Sequence, residues 1–323
     1  MTVPARYGIT VPFPGVPLNE HRAWYEEVAA LGYTDVWSAE AGGTDAFTPL
    51  ALAAAWTPTL RLGTAIVPAF TRGAATLAQT VAAMCQAAPG RFALGLGTSS
   101  DVIVERWNGI PFEKPFHRVR DTIRFLRSAL AGEKVTNDYE TFSVRGFRLE
   151  VPVAEMPPIL VAALRPGMLR LAGQEGDGAI INWLSADDVK TVVAHVGEDK
   201  EIVARIFVLP TDDRELVRLV GRRAIAAYLN VPVYAAFHEW LGRGELLAPM
   251  WAAWRAGDRA AATEAIPDSL IDELIVHGSP SECRAHLARY AANGVTTPAP
   301  SILGLGADAL RQTLRDLAPG ASD

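Results

Sequence analysis

The sequence predicts an α/β fold, a (β/α)8 TIM barrel with insertions at its C-terminal face. Three observations lead there. Short, continuously apolar runs alternate with longer segments of helical period along most of the 323 residues. The runs lack the polar alternation of a half-exposed strand, which marks a parallel sheet buried on both faces. The first strand leads into "VPFPGVP" where the competing doubly wound fold would place a glycine fingerprint.

Taken in order, "RYGITVP" (Arg6 to Pro12) reads as the first strand. A helix follows from Asn19, a good N-cap, with Trp24, Val28 and Leu31 on one face and Gly32 closing it. "YTDVWSAE" is the second strand and "AFTPLALAAAW" its helix. The third strand, Leu62 to Val67, is followed by a helix from Ala74 to Ala87. It ends on Gly63, Thr64 and Ala65, small residues that leave room for something flat and large. "RFALGLG" is the fourth strand, with a helix from about Phe116 to Ala131 aligning Val119, Ile123 and Leu126. "PPILVAAL" and "GDGAIINW" are the fifth and sixth, separated by a helix from Pro166 to Glu175. "ARIFVLP" and "TTPAPSILG" complete the set, and a last helix carries Leu310, Leu314 and Leu317.

The whole chain, 1–323, reads as one barrel domain with two insertions. "TFSVRGFRLEVP" alternates like a hairpin near 139–152, with Arg145-Gly146 near its turn. Helical pieces rich in Trp and Ala fill the region near 230–273, over the barrel mouth.

Half of the residues are hydrophobic and a fifth are charged, as in ordinary soluble proteins. A net charge of −6 argues against a general binder of nucleic acid or anionic membrane, so the expected partner is a small molecule. The N-terminal "MTVPARYGITVPF" lacks a signal-peptide core and no apolar run would span a bilayer, which makes the cytoplasm the expected compartment. Phosphate-loop and nucleophile-elbow motifs are absent, as is C-x-x-C. The six histidines have no ligand spacing and Cys85 and Cys283 lie far apart, so no metal is expected.

The remaining chemistry clusters where strands end. Glu40 stands where barrel catalytic groups project, although an N-cap or rim ion pair would serve there as well. Thr98, Ser99 and Ser100 follow a Gly-rich strand end that reads as a tight turn or a ligand loop. Pro166 suits the first position of a helix whose N–H groups bind anions, and Arg165 and Arg170 add charge. Trp107 belongs to a surface helix or closes over a ligand. Ser279 and Glu282 form a capping box, a scaffold feature.

In order along the chain, "VWSAEAGGTDAFTPLALAA", "LRLGTAIVPAFTR", "GRFALGLGTSSDVIVERWNGIPF", "PPILVAALRPGMLRLAGQEGDGAIIN" and "HGSPSECRAHLARYAANGVTTP" resemble the luciferase-like superfamily, in particular its actinobacterial coenzyme F420-dependent oxidoreductases. The resemblance implies a cofactor ring lying over the third strand. It also implies a non-prolyl cis peptide at Ala65-Ile66, which places Thr64, Ala65 and Ile66 against the ring. The hydroxyls of Thr98, Ser99 and Ser100 would border it. Leu164, Arg165, Pro166 and Gly167 would cradle the rest of the cofactor, with Asn182 and Trp183 at the next strand end.

The implied activity is hydride transfer between the deazaflavin and a small organic substrate. Glu40 is expected as the catalytic proton donor or acceptor on its own ground, as a carboxylate partly desolvated in the barrel mouth. FMN-dependent monooxygenation is the alternative, and a non-catalytic flavin- or deazaflavin-binding protein is another. The family's sugar-phosphate dehydrogenases carry a His where Glu40 stands, a Trp near Thr44 and a Glu in the loop of Ser99 and Ser100. Their acid–base pair is not reproduced, so their chemistry is not expected here. The resemblance implies a homodimer through the early helices, whose Ala-rich faces suit close packing between subunits and packing on the barrel equally.

Overall fold

Eight strands, all parallel to their neighbours, wind into a nearly closed barrel. They are β1 (Gly8–Val11), β2 (Asp35–Ser38), β3 (Arg61–Thr64, resuming at Val67–Pro68), β4 (Phe92–Gly97), β5 (Ile159–Ala162), β6 (Gly178–Asn182), β7 (Glu201–Leu209) and β8 (Thr297–Ile302). Ladders run from β1 through to β8, and the Thr10 hydroxyl reaches the Ala299 carbonyl (3.5 Å) where β8 meets β1. The computed structural model describes residues 6–151, 153–304 and 306–321. Met1–Ala5, Pro152 of the expected hairpin segment, Leu305 and the last two residues of the "PGASD" tail lie outside them.

The helices are α1 (Arg22–Ala30), α2 (Phe47–Trp56), α3 (Ala74–Ala87), α4 (Pro115–Leu130), α5 (Pro166–Gln174), α6 (Asp188–Val193), α7 (Arg214–Leu229), α8 (Pro232–Trp240), α9 (Gly244–Arg255), α10 (Arg259–Glu264), α11 (Asp268–Leu274), α12 (Pro280–Ala292) and α13 (Ala307–Asp316). α12 starts on the expected capping box of Ser279 and Glu282. From α8 to α11 the chain packs with α7 around a second core that includes Val217, Ile225, Leu247, Met250 and Leu270. A short strand, Ile275–His277, leaves that core and pairs with the upper end of β7; the sequence reading contained no strand there. Among the described residues no helix is long and apolar enough to cross a membrane.

The hairpin sits earlier than expected. Val135–Asp138 pairs antiparallel with Ser143–Phe147, so the turn is at 139–142 and Gly146 lies inside the second strand. Aromatic packing explains the shift. Tyr139 and Phe142 stack on each other at the turn (4.9 Å between centroids) and both meet Phe125 of α4 edge-on, while the Ser143 hydroxyl closes on Asp138 (2.6 Å).

Alternating residues of each strand point into the barrel. At the N-terminal end these are Asp35, Arg61 and Glu201. Arg61 donates to Glu201 (Nη2 to Oε2, 2.8 Å) and to Asp35 (3.3 Å), forming a charged floor. Burial pushes the Asp35 carboxyl up, against the pull of the Thr34 hydroxyl, Arg6 and Arg61. Directly above, Trp37 fills the middle of the barrel among Ala93, Leu160, Ile180, Val203 and Ala299, with the Arg61 guanidinium 5.6 Å from its ring.

Trp37 answers the question raised by the small residues of the third strand. A Cβ on Gly63 would sit 2.2 Å from Cε3 and Cζ3 of the indole, and one on Gly8 would sit 2.8 Å from its Cδ1. The flat group that Gly63 admits is this tryptophan, across the β2–β3 ladder, where Trp37 and Gly63 are register partners. The expectation that this space serves a ligand is corrected at Gly63.

Candidate active site at the barrel mouth

The strand C-termini converge on one mouth, and β3 shapes it. The Ala65-Ile66 peptide is cis, at the position expected. The strand breaks there and resumes at Val67, paired with Leu96. The break stays tied to β2: Ala65 N–H donates to the Ser38 carbonyl (2.6 Å), and the Ile66 carbonyl accepts from Glu40 N–H (3.1 Å). On the β4 side the Thr64 hydroxyl replaces the missing ladder bonds, accepting from Gly95 N–H (2.7 Å) and donating to the Gly95 carbonyl (2.9 Å). Thr64 is therefore fully buried and its hydroxyl faces β4. Ala65 and Ile66 are the residues of the break that retain access to the mouth.

Glu40 follows β2 and lies at the rim, with its carboxylate in an ion pair. Arg72 Nη1 donates to both oxygens (2.8 and 2.7 Å), and Thr71 Oγ1 and Ala46 N–H approach at 3.4 Å. Arg72 in turn lies over the Phe47 ring (5.0 Å). Asp45 is a cap: its carboxylate accepts from the N–H groups of Phe47 (2.8 Å) and Thr48 (3.0 Å) at the start of α2.

Thr98, Ser99 and Ser100 leave β4 at the mouth and are all half-buried. Ser99 takes a left-handed φ of 62° and accepts the Thr98 hydroxyl on its carbonyl (3.1 Å). Ser100 starts the wide helical turn Val102–Trp107 by accepting Ile103 N–H on its hydroxyl (3.3 Å). Trp107, at the end of that turn, is 59% exposed and lies beside Gly42 of the rim loop.

Leu164 and Arg165 follow β5 and lead into α5. No side chain caps this helix and Pro166 has no N–H to offer. The first-turn amides of Gly167 and Met168 therefore open outward, beside the exposed Arg165.

Asn182 ends β6 and shares hydrogen bonds with Tyr234 of α8 (Nδ2 to the phenol oxygen, 3.1 Å). Burial raises the Tyr234 phenol above its usual pKa, against the Asn182 hydrogen bond and the charge of Arg205. Trp183 behaves differently from the expectation. It adopts φ 53°, an uncommon setting for a bulky residue, and is 1% exposed. Its ring stacks on Phe207 (4.1 Å) and leans on Tyr228, and its carbonyl accepts from His238 Nε2 (2.9 Å). The indole belongs to the second core and does not line the open mouth.

Sequence reasoning missed Arg205 and Tyr234. Arg205 sits within the apolar run of β7, in register with Asn182 of β6. A lone charged residue inside a strand buried on both faces was the available signal. Among the described residues no group of three or more His, Cys, Asp or Glu could hold a metal ion.

A barrel whose strand C-termini hold a broken strand, hydroxyl and amide donors, a rim carboxylate and a half-buried arginine has the layout of an enzyme site. The family model for luciferase-like monooxygenases matches residues 3–297, and the chain belongs to that family. It is an oxidoreductase. A Mycobacterium tuberculosis protein named as a coenzyme F420-dependent oxidoreductase is 27% identical over 311 residues, 87% of this chain and 90% of its own. A 5,10-methylenetetrahydromethanopterin reductase of Methanolobus tindarius is 27% identical, covering 82% and 84%. Among solved structures, the coenzyme F420-dependent tetrahydromethanopterin reductase of Methanopyrus kandleri superposes with a TM-score of 0.80 at 18% identity, over 97% of each chain.

Proposed function

We propose that this chain is a coenzyme F420-dependent oxidoreductase acting on a small organic substrate at the barrel mouth. The likeness to the mycobacterial F420-dependent relative, which spans 87% of the chain, carries the reading. The mouth's donor set suits such a cofactor. The uncapped amides of α5, the Arg165 guanidinium and the hydroxyls of Thr98, Ser99 and Ser100 are suited to an acceptor-rich, anionic ligand.

The deazaflavin would supply hydride exchange at its C5 carbon. The protein's part is placement and proton handling. Ala65 and Ile66 form the wall behind the ring, Leu164 to Gly167 hold the anionic portion, and Asn182 lies at the neighbouring strand end. Glu40 is the acid–base candidate at the rim. Arg72 holds that carboxylate in place there.

Fluorescence titration of the purified protein with coenzyme F420 and, separately, with FMN tests the reading. Tight binding of F420 alone supports it and justifies screening enones, imines and alcohols for hydride exchange. Preference for FMN would transfer the protein to the monooxygenase branch, with oxygen consumption as the next assay. Binding of neither would remove the cofactor assignment.

A further inference from the structure

We propose that Arg205 anchors the carboxylate of an anionic small-molecule substrate, making it a specificity residue of the mouth. This deepens the oxidoreductase reading and rests on it for the word substrate; the anion site itself can be measured independently.

Strand alternation places Arg205 inside the barrel. On β7, Glu201 lies in the charged floor and Val203 packs in the interior with Trp37, so Arg205 is the next inward residue toward the mouth. It is in register with Asn182 on one side and Ala299 on the other. β7 is four strands from β3 in the barrel order, so Arg205 looks across the mouth at the wall formed by Ala65 and Ile66.

Arg205 differs from the paired arginines of the barrel in the company it keeps. Arg61, Arg72 and Arg243 each meet a carboxylate. Among the described residues no carboxylate pairs with Arg205. Its guanidinium donates from Nη2 to the Ser301 hydroxyl (3.1 Å) and lies 5.0 Å from the centroid of the Phe207 ring. Its Nε–H is buried with no acceptor. A buried donor left unmet is costly, and more so when it carries charge.

The Nε nitrogen is closed off by protein, and among the described residues Nη1 makes no hydrogen bond. The Nη1–Nη2 end of the guanidinium is therefore the part that an acceptor arriving with a ligand would meet. A guanidinium edge matches the two oxygens of a carboxylate in spacing and plane, and one positive charge matches one negative charge. A carboxylate placed here would put the rest of its molecule between Arg205 and the β3 wall.

The test compares benzoate with benzamide, which share shape but not charge, by isothermal titration into wild-type protein, R205Q and R205K. We expect saturable benzoate binding by wild type, about 10-fold or more tighter than benzamide. R205Q should lose about 10-fold or more of the benzoate affinity while its benzamide affinity stays put. R205K keeps the charge without the fork and should fall between them; it also serves if R205Q does not fold, as judged by far-UV circular dichroism. Equal affinities of wild type for the two probes, no benzoate binding, or variants that bind benzoate like wild type would each overturn the proposal. Failure of wild type to bind F420 would instead remove the cofactor reading and leave the benzoate result standing.

Discussion

Substituting Gly63 by alanine asks whether the small residues of β3 serve the protein's own core or a ligand. The new methyl would lie 2.2 Å from two carbons of the Trp37 indole, where carbon atoms ordinarily rest about 3.5–4.0 Å apart. The ring would have to retreat by about 1.5 Å. It has little room, because Gly8 bounds its pyrrole side, where an added Cβ would already be 2.8 Å away, and Arg61 lies beneath. Overpacking costs about 1–3 kcal/mol, and a ring hemmed in on several sides belongs at the upper end.

For a chain of this size that is a fall in melting temperature of about 5 °C, read by circular dichroism on ligand-free protein. The double variant G63A/W37L should cost less than the sum of G63A and W37L, since the clash disappears with the indole; contacting residues couple by about 0.5–3 kcal/mol. An unchanged melting temperature for ligand-free G63A, or strict additivity in the double variant, refutes the reasoning. If G63A then also weakened cofactor binding, the space would belong to the ligand after all.

Three further outcomes follow from the same geometry. Burial, with the nearby Arg243 charge, lowers the His238 pKa from 6.5 to about 4. Its contribution is complete above pH 6.5 and disappears as pH falls toward 4, about 3 kcal/mol in all; melting curves of wild type and H238Q between pH 7 and 4 should diverge, and superimposable profiles would count against it. T64V removes the hydroxyl that bridges the Gly95 N–H and carbonyl, leaving buried groups unmet at a cost of about 1–3 kcal/mol in denaturant unfolding, whereas T64S should retain most of the stability. E201Q leaves the Arg61 charge with Asp35 at 3.3 Å, and we expect a loss of about 2 kcal/mol, below the range for a fully orphaned buried ion; a neutral result would show that Asp35 alone satisfies Arg61.

Much of the fold is legible in the linear sequence because each barrel strand is a local apolar run and each helix a local period. What escaped depends on register. Trp37 and Gly63 lie on different strands, and nothing in either run says that they face each other. The floor joins Asp35, Arg61 and Glu201 from three strands, and a residue string carries no information about such a ring. The hairpin turn moved because Tyr139 and Phe142 dock on Phe125 of a helix, a contact that alternation cannot encode. In the site, the break at Ala65-Ile66 was located through family resemblance, and Glu40 lies at the rim in an ion pair, the other reading its position allowed, with a partner, Arg72, that was not foreseen. Trp183 was misjudged because a strand-end aromatic has two cores to choose between, and the insertion won.

The Trp37 plug over the Arg61–Glu201 floor has a consequence for traffic. A tube stoppered at one end has a single doorway. Whatever lies deeper must arrive first and depart last, and the molecule nearer the opening controls its exchange. The seat at the broken strand and the Arg205 pocket facing it would be filled and emptied through that same doorway. The binding order would be set by the plumbing of the barrel, before any affinity is considered.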